Sequence, residues 1–177
     1  MLRLLFYLVI SGITFVVDYI SKKIIVNELE LHEQVRVIGD FFVITSIRNT
    51  GAAFSLLENQ RVFFLIITVI ITIGIVGYMT FISRRQGRAL LLTGLALVLG
   101  GALGNFIDRA RTGEVVDFLQ FTFGSYTFAI FNLADTAICI GVGLIILDSL
   151  LVSRAEKRAS LNNPLAASYA EPKQPQE

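Results

Sequence analysis

Apolar residues in this chain come in long unbroken runs, and the polar residues are confined to the gaps and to a few isolated positions. Residues 62–82 carry no charge, and residues 89–107 are apolar until Asp108-Arg109 ends the run. Residues 4–17 are apolar and the run extends to about 26 if Asp18 and Lys22 face inward. Residues 129–152 are apolar apart from Asp135 and Asp148. A bilayer core needs about 20 apolar residues in helical form, so four transmembrane helices are expected, over about 4–26, 62–82, 89–108 and 130–152. Between spans the period changes. Gln34-Val35-Arg36-Val37-Ile38 alternates polar and apolar, residues 41–47 are β-branched and aromatic, and Gly39-Asp40 between them is a turn signal. This predicts a small β-hairpin or cradle on the membrane surface. Residues 121–128, Phe-Thr-Phe-Gly-Ser-Tyr-Thr-Phe, suit a second hairpin able to pack on the first.

Composition agrees with a membrane chain. Of 177 residues, 54% are hydrophobic and 16% charged, where soluble domains run near a quarter charged. The net charge of +1 gives no reason to expect nucleic acid as a partner. The size suits one compact unit. Residues 1–153 are expected to form an integral membrane domain with exterior segments 27–61 and 109–129. Residues 154–177, polar and proline-containing toward the end, are expected to be a disordered cytoplasmic tail. Arg3, the link bearing Arg84, Arg85 and Arg88, and the group Arg154, Lys157 and Arg158 all fall on one side of a four-span chain. The positive-inside rule makes that side cytoplasmic, with both termini. Arg36, Arg48, Arg109 and Arg111 on the other side weaken the bias without reversing it. Arg3 and the apolar start imitate a secretory signal. No small-x-small cleavage site follows, so a retained first helix is expected.

The single cysteine, Cys139, excludes an internal disulfide. Its apolar surroundings predict a small buried hydrophobe. The only histidine, His32, is far away, which leaves no thiol–base pair and no Cys/His zinc cluster.

Against this background two carboxylates stand out. Asp117 follows the third span and Asp135 lies at or inside the fourth. A carboxylate near hydrocarbon costs several kcal/mol unless neutralised, paired or facing a polar cavity. Two apposed carboxylates can share one proton, as in aspartic proteases. The bland account is a helix-capping Asn132 with Asp135 in a first turn, leaving Asp117 an inconsequential loop residue. Other polar groups fall at the same end. Asp18 and Lys22 at i, i+4 can pair, as a structural anchor or as part of a site. Asn49, in Arg48-Asn49-Thr50-Gly51-Ala52-Ala53-Phe54-Ser55, suits either a turn or an amide that grips peptide backbone. Asn105 shares a face with Arg109 and neighbours Asp108. The Arg109 guanidinium can pair with Asp108, hold a loop, or contact lipid phosphate.

Five ordered motifs make the pattern specific: Asp18-x-x-x-Lys22; Asn49-x-Gly51-Ala52-Ala53-Phe54; Gly100-Gly101-Ala102-Leu103-Gly104-Asn105-x-x-Asp108-Arg109; Val115-Val116-Asp117-Phe118; and Phe131-Asn132-x-Ala134-Asp135-x-Ala137. Together they resemble the prolipoprotein signal peptidases, or signal peptidase II, of bacterial inner membranes, over nearly the whole chain to about Ser153. Tyr19 stands where the family often has Gln, and Thr136 where Ser is common. The resemblance implies a mainly α membrane protein, with four transmembrane helices, an exterior β-cradle and a short exterior helix. It implies an aspartic endopeptidase that cuts prolipoproteins before a diacylglyceryl-modified cysteine. It places the catalytic pair on Asp117 and Asp135. Support falls on Asn49, Asn105, Asp108, Arg109 and Asn132, with Asp18 and Lys22 more peripheral. It implies no metal or cofactor. Expected partners are diacylglyceryl prolipoproteins, membrane lipids and the inhibitor globomycin, with the chain acting as a monomer. A proton-coupled membrane carrier also keeps carboxylates in a bundle, and a scaffold is a third reading. Neither accounts as well for polar groups gathered at one face.

Overall fold

The computed structural model describes residues 1–51, 58–85 and 88–161. The apolar runs form four helices: α1 (Leu2–Glu28), α2 (Arg61–Ile82), α3 (Ala89–Arg111) and α4 (Leu133–Leu161). All four are long and apolar enough to cross a membrane. The shortest, α2 with 22 residues, is about 33 Å long at 1.5 Å per residue, sufficient for a hydrocarbon core of about 30 Å.

α3 is the central helix and packs on α4, α1 and α2. Its most apolar stretch is 56% buried inside the protein, against 6% for α2. The sequences explain the contrast. Lipid tails are as apolar as leucine, so helices associate where small residues let backbones approach. α3 is rich in glycine and alanine, whereas α2 is built of Ile, Val and Phe and leaves them facing outward. At the α3–α4 crossing, a Cβ on Gly94 would lie 2.6 Å from the Gly141 carbonyl oxygen, and one on Gly141 2.6 Å from that of Gly94. Tyr7, Met79, Leu92 and Ala96 fill the core of the same half of the bundle.

Three of the basic residues assigned to one side, Arg3, Arg85 and Arg88, make contacts at one end of the bundle. The Arg3 guanidinium donates to the Arg85 carbonyl, and Arg88 pairs with Asp148 at 2.7 Å. Asp148 Oδ1 also accepts the Leu91 N–H at 3.3 Å, a carboxylate at the positive end of α3.

The other end carries one antiparallel sheet in the order β1–β2–β3–β4: β1 (Gln34–Ile38), β2 (Phe42–Asn49), β3 (Val115–Phe123) and β4 (Tyr126–Thr127). The expected first hairpin is present, and β2 pairs with β3, so the two stretches between helices pack as one layer. Aromatic rings reinforce it: Phe42 stacks on Phe121 at 4.8 Å and Phe121 on Phe131 at 5.9 Å. The second hairpin differs from expectation in that β3 starts at Val115. Asp117 is therefore a strand residue, opposite Ile47. The switch from α3 into β3 is made by Gly113 at φ 88°, a left-handed position just past a helix end that favours glycine.

Two further differences are local. α4 continues to Leu161, so residues 154–161 of the expected tail are helical. Ala, Glu, Lys and Arg are strong helix formers, and the charges there do not end the helix. Residues 162–177 lie outside the described residues. Cys139 is exposed rather than buried: it lines a largely apolar cavity that reaches Asp135. Among the described residues there is no short exterior helix, and residues 52–57 of the first exterior segment, including Ala52, Ala53 and Phe54 of the second motif, lie outside them.

Candidate active site

The site is assembled at the sheet end of the bundle from β2, β3, α1, α3 and the start of α4. Asn132 organises it. It precedes the first residue of α4 and caps that helix: its Oδ1 accepts the Asp135 N–H at 3.0 Å, and the Asp135 carboxylate accepts the Asn132 N–H at 3.2 Å. This is the reciprocal capping box, with aspartate as the acid. With its oxygen committed to the helix, the Asn132 amide turns its NH₂ away, donating to Asp117 Oδ1 at 2.7 Å and to Asn105 Oδ1 at 3.3 Å. One fully buried side chain thus touches both acids. The capping account of Asn132 and Asp135 is correct, and it is also what ties the pair to Asp117.

Each carboxylate has a second amide partner. Asn49 Nδ2 donates to Asp117 Oδ2 at 2.8 Å, while Asn49 Oδ1 accepts the Gly51 N–H at 2.9 Å. Asn49 is thus both the turn former and the side-chain donor. Asn105 Nδ2 donates to Asp135 Oδ1 at 2.8 Å. Its Oδ1 accepts from Lys22 Nζ at 2.8 Å.

Lys22 and Asp18, expected at the periphery, belong to this network. The buried ammonium contacts Asp18 and Asp108, each at 2.9 Å. Because Lys22 only donates, it fixes which end of the Asn105 amide faces Asp135. Asp18 in turn accepts the Ala134 N–H at 2.8 Å, filling one of the donors that a helix start leaves open. The approach requires Gly104, where a Cβ would lie 2.2 Å from Asp18 Oδ2.

Arg109 does not pair with Asp108, which is taken by Lys22. Its guanidinium donates to the Gly51 carbonyl at 2.7 Å and lies 4.5 Å over the Phe64 ring. It holds Gly51, just past β2, within the field of Asp135 and Asp117. Phe64 had no signal in the sequence, being one of many apolar residues in α2. Gly51 enters through its carbonyl, which no side-chain pattern reveals.

Burial raises the Asp117 carboxyl from near 3.8 to about 6. The Asn49 hydrogen bond opposes this, the Asp135 charge adds to it, and Asn132 and Lys22 oppose it. Asp117 is only 2% exposed. An acid poised near neutrality beside a second acid suits proton transfer in both directions.

Two cavities meet at Asp117. One, of about 560 Å³, is largely apolar and lined by Phe64, Val115, Phe131, Ile138 and Ile140 together with Asp117 and Asp135. The other, of about 360 Å³, is more polar and lined by Arg48, Asn49, Thr50, Glu58 and Asp117.

Comparison with known proteins agrees with this geometry. Residues 10–151 match the family described as signal peptidase (SPase) II. A lipoprotein signal peptidase of Brevibacillus brevis is 48% identical over 147 residues, 83% of this chain and 96% of the relative. One of Bacillus pumilus is 43% identical over 156 residues, 88% of this chain and 99% of the relative. A bacterial membrane enzyme solved by the in meso method at 2.3 Å superposes with a TM-score of 0.74 and 37% identity, covering 89% of this chain and 92% of its own. A second, at 1.9 Å, gives 0.70 and 38%, covering 81% and 92%. These relationships give the carrier and scaffold readings no support. Four membrane-length helices, an assembled acid pair and a match across most of the chain lead to one assignment: this is a multi-pass bacterial membrane peptidase that belongs to the signal peptidase II family.

Proposed function

We propose that this protein is an aspartic endopeptidase that removes the signal peptide from diacylglyceryl-modified prolipoproteins, cutting before the lipidated cysteine. The observation that carries the reading is the link through Asn132 of two carboxylates at the mouth of an apolar cavity. The Asp117/Asp135 dyad holds one proton. One carboxylate acts as general base on a water, and the protonated partner polarises the scissile carbonyl and then donates to the leaving amine. The pair titrates as a unit. Asn49, Asn105 and Asn132 fix the carboxylate planes, and Asp108, Asp18 and Lys22 fix the amides. Arg109 secures Gly51 beside the site and offsets negative charge there.

Specificity follows from the surroundings. Acyl chains on the substrate cysteine gain from burial in apolar space, at about 0.8 kcal/mol per CH₂ removed from water. The 560 Å³ cavity between helices offers that space within reach of both acids. The bundle end bearing Arg3, Arg85 and Arg88 is cytoplasmic, with both termini, so the sheet and the dyad lie at the exterior membrane surface. The chain acts as a monomer in this reading. Globomycin competes for the dyad in this reading.

The test is cleavage by the purified protein of two precursors that differ only in lipidation of the cysteine, with the products weighed by mass spectrometry. The lipidated precursor is cut at the bond before the cysteine, and the unlipidated one at least tenfold more slowly. Equal cleavage of both, or a cut elsewhere, contradicts the reading.

A further inference from the structure

The segment between β4 and α4 runs beside β3 but does not match it residue for residue. The Phe128 N–H donates to the Phe121 carbonyl at 2.9 Å. Phe131 and Leu119 exchange both backbone hydrogen bonds, at 3.1 and 2.8 Å. Two residues, Ala129 and Ile130, therefore stand opposite the single residue Gln120. This is the count of a β-bulge, which leaves the extra residue unpaired and often adjoins an active site. Among the described residues, the backbone N–H and C=O groups of Ala129 and Ile130 accept and donate no hydrogen bond. Both residues line both cavities, and each cavity also includes Asp117. Unpaired backbone groups beside largely apolar space carry a desolvation cost that an occupant with matching groups removes.

Resting on the proposed peptidase function, we infer that Ala129–Ile130 is the edge on which the substrate segment around the scissile bond pairs in extended form, by strand addition. The occupant is an extended peptide because it must do three things at once. It must supply alternating N–H and C=O groups to the edge. It must pass from the apolar cavity, which suits the signal segment and acyl chains, to the more polar one, which suits the residues after the cysteine. It must also bring a carbonyl past Asp117, the one acid shared by both cavities. The edge is only two residues long, so it registers the chain without gripping a long sequence. That agrees with an enzyme that must accept many mature sequences.

The experiment is an ester scan. Synthetic S-diacylglyceryl lipopeptides carry single amide-to-ester replacements at each non-scissile position from three residues before the cysteine to three after it, each deleting one N–H donor. Strand addition predicts that kcat/KM falls about five- to tenfold at one position, or at two positions two residues apart, with intervening positions nearly unchanged, as expected for loss of a single hydrogen bond. A flat profile, or loss confined to adjacent positions, overturns the inference. The unmodified lipopeptide separates this outcome from the functional reading. If it is cut by the wild-type protein while the scan is flat, the peptidase stands and the strand addition does not.

Discussion

Asp117 is held by amide donors on both oxygens yet stays buried, and burial prevails, raising its carboxyl to about 6. A raised carboxyl means that the folded state binds the proton more tightly than the unfolded chain. Stability from this group is fully present below about 3.8 and is lost as pH rises to about 6, amounting to roughly 3 kcal/mol over that window. Asp117→Asn carries no such charge. Thermal unfolding in detergent from pH 4 to 7 should therefore show the variant gaining on the wild type by roughly 2 kcal/mol across the series. A constant difference at all pH values would remove the burial argument. The acids and asparagines of this site were legible in the sequence because charge amid apolar residues is costly and so conspicuous. The central place of Lys22 was not, because i, i+4 spacing reveals its bond to Asp18 while Asp108 and Asn105 reach it only across the α1–α3 contact. The exposure of Cys139 was hidden for a related reason: apolar character does not distinguish a packed position from one that lines an apolar cavity.

At the scale of elements, the helices were legible from length and the first hairpin from its alternation and turn. The start of β3 was not, since Val115-Val116-Asp117-Phe118 gains its strand character from pairing with Val115↔Asn49 through Asp117↔Ile47 on β2, far away in sequence. Nor does the glycine-rich stretch of α3 announce which glycine serves the site. Gly104 does, because only a missing Cβ lets Asp18 reach the Ala134 N–H. Gly104→Ala should cost at least tenfold in kcat/KM and about 1–3 kcal/mol of stability, as overpacking does. Gly74→Ala, where nothing lies within 4 Å, should leave activity unchanged and stability equal or up to about 1 kcal/mol higher. Equal behaviour of the two variants, by initial rates and thermal unfolding, would show that the α1–α3 contact does not position the site.

At the scale of the whole molecule, the bundle separates two polar ends. One is held by Arg88–Asp148 and the Arg3–Arg85 contact, the other by the Lys22 cluster and the sheet. Between them the helices present apolar surface to lipid. The asymmetry gives an orientation that can be measured. Single cysteines placed at Arg3 and at Arg158, in a chain with Cys139→Ala, should react with a membrane-impermeant thiol reagent in inside-out vesicles and not in intact spheroplasts. A cysteine at Asp40, in the exposed β1–β2 turn, should show the reverse. Labelling of Asp40→Cys from the cytoplasmic side would invert the proposed topology and move the dyad to the wrong face.

The central claim is that Asp117 and Asp135 act together on the scissile bond. The most direct measurement is single-turnover cleavage of a lipidated precursor by purified Asp117→Asn and Asp135→Asn proteins, each shown to be folded by its thermal transition. Loss of at least a thousandfold in rate in both variants is the predicted result. Retention of full activity in either one contradicts the dyad.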